Sequence, residues 1–185
     1  MEASMQGMTI SFINYTKAPN KSASVVTAMG QVFQKNTFDG TVGKETVQGK
    51  TTTLEGADLE ELKASSKMFG DIDYNASGST FELLGVELID GKDAYKIEET
   101  KSNGDKQSEW YDVATSLKVK TMQISEAPEA MGGGTFAAVT LYYDYKVIGG
   151  INYAHKINQS AGPQVFDMNV VTIEHNTKLG DEVFQ

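Results

Sequence analysis

The sequence predicts a mostly β protein of the α+β class: a single curved antiparallel sheet or open barrel of about ten strands with one main helix. Three observations lead there. Apolar and polar residues alternate in short runs, and turn dipeptides such as Asp39-Gly40, Asp90-Gly91, Asn103-Gly104 and Gly149-Gly150 punctuate them. The connections are too short for the crossover helices that parallel strands need. Only one segment, Gly56 to Gly70, carries helical signals.

In chain order, Met1–Phe12 reads as a hairpin turning at Gln6-Gly7. The strand through Ile10, Phe12, Ile13 and Tyr15 then ends at Pro19 and Asn20, which favour a turn. Ser22–Ala28 and Gln31–Phe38 form a second pair joined at Met29-Gly30, and a short polar strand follows Asp39-Gly40. The helix takes Asp58, or a residue just before it, as its cap. Leu59 and Leu62 share one helical face, with Met68 and Phe69 further on, and Gly70 stops the helix. Strands resume at Phe81–Ile89, Asp93–Lys101, Lys106–Val113 and Leu117–Ile124. A loop with Pro128 and three consecutive glycines precedes a long strand, Phe136–Ile148. That strand turns at Gly149-Gly150 into Ile151–Ile157, and Gln164–Asn176 is the last strand before a short terminal turn of helix.

The long strand has the most regular pattern. Ala137, Val139, Leu141, Tyr143, Tyr145 and Val147 point to one face; Thr140, Tyr142, Asp144 and Lys146 point to the other. The apolar set, joined by Phe12 and Trp110, is the candidate lining for an apolar ligand, with Trp110 expected near its rim.

Composition bounds the function. The 185 residues suit one domain, 1–185. The net charge is −9 and all 16 basic residues are Lys, so the chain lacks the basic face and Arg forks of a nucleic-acid binder. With no cysteine, disulfides, thiolate nucleophiles and Cys-held metals are excluded. No apolar run reaches the ~18 residues of a membrane span. The first residues carry no signal-peptide pattern and read as mid-fold, so the chain is expected to be a piece of something longer.

Motifs for catalysis are weak. Asp39–Thr46 lacks phosphate-loop spacing, and Glu45 follows Lys44 where a hydroxyl belongs. Asp71, Asp73, Asn75, Ser77 and Glu82 imitate the oxygen ligands of a twelve-residue calcium loop, but Ala76 stands where the turn needs Gly and a strand follows. The plainer reading is a polar helix-to-strand loop. His155, His175 and Glu174 could supply zinc ligands across a sheet; two partly exposed strand histidines are the commoner case. Glu98 and Glu99 fall on opposite faces of a strand, a poor acid–base pair. No catalytic constellation and no cofactor is expected. The eight methionines suit an adaptable apolar surface or ordinary core filling.

The stretch "EWYDVATSLKVKTMQI", Glu109 to Ile124, carries a resemblance: an aromatic strand ending in Asp112, a turn, then Leu117 and Val119 opening the next strand. With "INYTKAPNK", "VELIDGKDAYKIEET", "YYDYKVIGGINYAHKI" and the closing "EHNTKLGDEVFQ", it resembles the periplasmic lipoprotein carrier and receptor family, the LolA/LolB type of outer membrane lipoprotein-sorting proteins. The likeness spans most of residues 8–185. It implies an open antiparallel barrel, closed on one side by helices, whose apolar concave face holds acyl chains in the periplasm or cell envelope. The amino-terminal helix expected before the first strand is missing, and the chain has no Arg for any guanidinium-dependent feature. The implied function is a non-catalytic binding module whose partner is an apolar small molecule or a lipoprotein acyl chain. "GVELIDGKDAYKIE" also resembles Bacteroidetes-type domains appended to insulinase-type zinc peptidases. The alternative is therefore an accessory domain that packs on a protein partner or a covalently linked peptidase domain.

Overall fold

A computed structural model describes residues 1–5, 8–68, 78–101, 103–126, 133–162 and 164–185. Among them are thirteen strands, one α-helix and a terminal 3₁₀ turn, and every pairing described is antiparallel. The chain divides into two compact units, Met1–Asp73 with Val171–Gln185, and Tyr74–Val170.

The first unit holds β1 (Glu2–Met5), β2 (Met8–Lys17), β3 (Lys21–Ala28), β4 (Gln31–Phe38), β5 (Gly43–Val47) and β6 (Lys50–Thr53). Their order is β6-β5-β4-β3-β2-β1, each strand beside its sequence neighbour. β6 is four polar residues without apolar alternation, which is why sequence reasoning passes over it. Gln48 and Gly49 both take positive φ, the geometry of a tight hairpin turn, and so bring β6 back onto β5. Asp39-Gly40 behaves differently from expectation. The Asp39 carboxylate accepts bonds from the Thr41 and Val42 amides at 2.8 and 2.7 Å, which builds a longer loop before β5.

The helix α1 (Gly56–Ser65) begins earlier than expected, capped by Glu55 without a side-chain bond, because Gly56 at φ +58° turns the chain inward there. It also ends earlier. Ser65 and Ser66 bond their hydroxyls back to the Leu62 carbonyl at 3.1 and 2.6 Å, a local alternative to continuing the helix. Phe69 and Gly70 lie outside the described residues. Leu59 and Leu62 do share a face: a Cβ on Gly43 would stand 3.0 and 2.8 Å from their methyl groups. Gly43 pairs with Phe38, which is 0% exposed. On the opposite face, Ala23 pairs with Thr37, and the 3₁₀ turn Asp181–Phe184 packs on β3 and β4 there. Lys17 and Lys21 hold Asp181 at 2.8 and 3.1 Å, and Phe184 is 1% exposed. Both faces are thus covered at the end of β3 and β4 that holds Ala23, Thr37 and Phe38, while Val32 and Phe33 at the other end of β4 are exposed.

The second unit holds β7 (Thr80–Ile89), β8 (Lys92–Thr100), β9 (Lys106–Asp112), β10 (Lys118–Glu126), β11 (Thr135–Ile148), β12 (Ile151–Ala161) and β13 (Gln164–Asn169), in the order β13-β12-β11-β10-β9-β8-β7. Asp90-Gly91 is a tight turn with both φ positive, as its sequence suggests, and so is Gly149-Gly150. β13 stops at Asn169, short of the expected Asn176. The Val170 amide makes the last bond, to the His155 carbonyl, and the β-branched residues beyond have no ladder partner among the described residues. His175 is therefore not a strand residue.

Candidate functional site

Directly opposed residues of antiparallel strands share a face, so the ladders of the second unit sort its side chains. On one face, Trp110 lies between Lys96 and Lys120, and the row continues through Leu141 and Asn158 to Asp167. On the other, Leu83, Ile97, Glu109, Thr121, Thr140, Gln159 and Phe166 form one row. Flanking that row are Val86 with Tyr95 and Tyr111, and Tyr142 with Ile157 and Met168.

The second face is apolar at both ends and charged at its centre. Glu109, buried, accepts bonds from Lys118 Nζ at 2.7 Å, Tyr111 Oη at 2.6 Å and Gln107 Nε2 at 3.0 Å. Burial pushes its carboxyl up, but Lys118, Tyr111 and Gln107 outweigh this and hold it below the ordinary glutamate range. At the β7 end the apolar side chains are uncovered: Leu83 is 62% and Leu88 69% exposed, with Val86 and Tyr95 also exposed. A bulge at Leu84-Gly85 keeps Val86 and Leu88 on the face of Leu83, and Gly85 takes φ +139°, open to glycine.

The sequence-selected lining falls on the first face. Trp110 is not at a rim. It is 2% exposed, beneath the ammonium groups of Lys96 and Lys120 at 5.1 and 4.3 Å from its ring, and donates Nε1–H to Glu87 at 2.8 Å. Val139 and Leu141 are half-buried, and Val147, near the end of β11, is 67% exposed. Tyr143 and Tyr145 come together in a cavity of about 280 Å³ that Ile89, Ala94, Val119 and Tyr142 also line, with Asp90, Asp93, Asp112 and Asp144 around it. Burial and Asp90 push the Tyr143 hydroxyl up. Burial pushes that of Tyr145, which donates to the Lys118 carbonyl, up to about 12. Phe12 belongs to the first unit, on β2 opposite Val26.

Of the calcium-like set, Asp71, Asp73, Asn75 and Ser77 lie outside the described residues. Glu82 is exposed on β7, opposite Glu98. Among the described residues no group of three or more acidic, His or Cys side chains is placed to hold a metal ion. His155 is buried on β12, its Nδ1 3.0 Å from the Tyr153 carbonyl. Glu98 and Glu99 do face opposite ways, toward Ser108 and Gln107 on β9. Among the described residues no helix is long and apolar enough to cross a membrane.

No protein-family model and no curated protein matches the sequence. Solved structures do. A LolA superfamily protein from Nitrosomonas europaea is similar over 100% of this chain and 86% of its own, with a TM-score of 0.65 at 15% identity. The chain has a LolA-like fold. A DUF1329 family protein from Desulfovibrio piger (TM-score 0.61, 14% identity) covers the same shares, 100% and 86%. An outer membrane lipoprotein-sorting protein domain from Vibrio parahaemolyticus covers 96% and 80%, with a TM-score of 0.60 at 14% identity. Within this LolA-like fold, sequence reasoning missed the apolar side chains of β7. The signal was present as Phe81, Leu83, Val86 and Leu88, but the bulge hides the strict alternation that a strand search uses.

Proposed function

We propose that the chain is a non-catalytic binding module of the cell envelope, periplasmic in location, that holds an apolar ligand or a lipoprotein acyl chain against its sheet. The observation that carries this is the grouping of apolar side chains on one face of the second unit, with Leu83, Val86 and Leu88 exposed at one end and Tyr142, Ile157 and Met168 half-buried at the other. Exposed apolar side chains grouped on one surface mark a site that something else covers. The likeness in fold to a lipoprotein-sorting protein domain supports a lipid as that ligand. On this reading residues 1–185 work as one LolA-like domain.

Two adjacent residues separate the two candidate linings. Tyr142 belongs to the face just described, while Leu141 belongs to the sequence-selected set with Val139, Tyr143, Tyr145 and Val147. The Leu141 row carries Lys96, Lys120 and Asp167, whereas the charges at the centre of the Tyr142 face, Glu109 and Lys118, are paired with each other, so the Tyr142 face is the better acyl surface. A fluorescent fatty-acid probe should bind saturably and be displaced by palmitate. Tyr142→Lys should abolish binding and Leu141→Lys should spare it. The reverse result moves the ligand to the sequence-selected face, and no binding to the parent chain ends the proposal. The exposed β7–β8 hairpin favours a second reading, an accessory domain of a larger envelope protein such as an insulinase-type zinc peptidase.

A further inference from the structure

We propose that the cavity beside Tyr143 and Tyr145 binds a small organic ammonium ion, an alkylamine with no anionic group next to its charge. The cavity, about 280 Å³, lies wholly within the second unit, among the β7–β8 turn, the β9–β10 turn and β11. Local irregularities make room for it. Ala94, 1% exposed, stands opposite Asp112 on the β8–β9 ladder, where a larger side chain would fill the space. The β9–β10 ladder shifts register between Lys118 and Lys120, and the extra residue, Val119, forms part of the wall.

The walls and their charge point to the same ligand. Tyr143 and Tyr145 supply aromatic rings, whose faces attract cations. Four aspartates and one lysine, Lys92, stand around them. Asp90 is engaged with the Tyr143 hydroxyl and Asp144 with Lys146 at 3.2 Å. Asp112 is different. It is 9% exposed, and its three bonds, from the Thr115 hydroxyl and the Thr115 and Ala114 amides, all go to Oδ1. Those bonds hold its carboxyl below the ordinary aspartate range, so it is charged at neutral pH. Its Oδ2 has no partner among the described residues, and neither has the carboxylate of Asp93. A buried carboxylate oxygen calls for a donor, and an ammonium N–H supplies the hydrogen bond and the countercharge together. A neutral apolar ligand would leave Oδ2 unsatisfied. A zwitterion would bring a negative group against the excess of aspartates. Among the described residues no acidic cluster is placed to hold a metal ion.

The test titrates the full chain with n-butylammonium, with 1-butanol, and with glycerophosphoethanolamine, the zwitterionic headgroup of a lipid. Calorimetry and NMR shifts of the Tyr143 and Tyr145 rings report binding. Butylammonium should bind saturably and move both rings, and the other two should bind at least about tenfold more weakly. Asp112→Asn keeps an oxygen for the turn bonds while removing the charge, so it should melt near the parent and weaken butylammonium binding about tenfold or more. Asp93→Asn, at an exposed position, should weaken it about two- to fivefold. Tyr142, which also lines the cavity, is left unaltered, and both variants should keep fatty-acid binding, so this inference and the carrier reading fail separately. Equal binding of 1-butanol, or tighter binding of the zwitterion, overturns the proposal. So does unchanged affinity in both variants, or displacement of butylammonium by an equal concentration of calcium, since the carboxylates would then attract any cation.

Discussion

The two units cover comparable sheets in opposite ways. In the first, α1 lies over Gly43 and Phe38 on one face of the sheet, and the 3₁₀ turn places Phe184 on the other. In the second, apolar side chains at the β7 end are left in solvent, and the largest buried side chain, Trp110, is roofed by lysines rather than by a helix. The difference shows where each unit draws its stability and where it keeps surface for use. Where both faces are covered, as around Phe38 and Phe184, the sheet gains from apolar burial; where a face is open, as at β7 and also at Val32 and Phe33 of β4, it relies on its ladders and on polar clusters such as Glu109 with Lys118.

The contrast breaks most visibly by truncation. Phe38→Ala should cost about 3–5 kcal/mol, read as a lower denaturant midpoint, and Phe184→Ala should approach it. Leu83→Ala, removing as apolar a side chain, should stay within about 0.5 kcal/mol. Equal losses would mean that the β7 face is covered in solution. Overfilling comes next. Gly43→Val would press on Leu59 and Leu62 and should cost about 1–3 kcal/mol, with Gly43→Ala milder because those methyl ends can shift.

Glu109→Gln tests the polar centre of the open face. It removes the partner of a half-buried Lys118 and should cost about 1–2 kcal/mol at neutral pH. The folded pKa of Glu109 lies below the ordinary value of 4.5, so its stabilising effect is present above that pH and is lost as pH falls through the folded value. Parent and variant should therefore converge in melting temperature as pH falls from the ordinary glutamate value through the lower folded one. The smallest effect belongs to Leu88→Lys. Stability should change by no more than about 0.5 kcal/mol, while fatty-acid binding falls.

The hairpin rhythm was legible because turn residues reveal themselves locally. Met29-Gly30, Asp90-Gly91 and Gly149-Gly150 adopt the positive φ pairs that their sequences favour, and the Asp112 carboxylate organises the turn at Ala114-Thr115 through both amides and the Thr115 hydroxyl. β6 was not legible, since four polar residues become a strand only when a neighbour supplies the ladder. The extent of α1 was set by competing serine hydroxyls rather than by Gly70. Trp110 illustrates the same limit at the candidate site. Its alternation with Asp112 was plain, yet its burial came from Lys96 and Lys120 on flanking strands.

By itself, then, the sequence determined the strand-and-turn plan, the single helix and the absence of cysteine or basic-patch chemistry, because these depend on residues close together in the chain. Only the tertiary structure decided which side of each strand is covered. Facing depends on register, and register depends on bulges and partners distant in sequence. The one-residue bulge at Leu84-Gly85 is what puts Leu83, Val86 and Leu88 on a single exposed face.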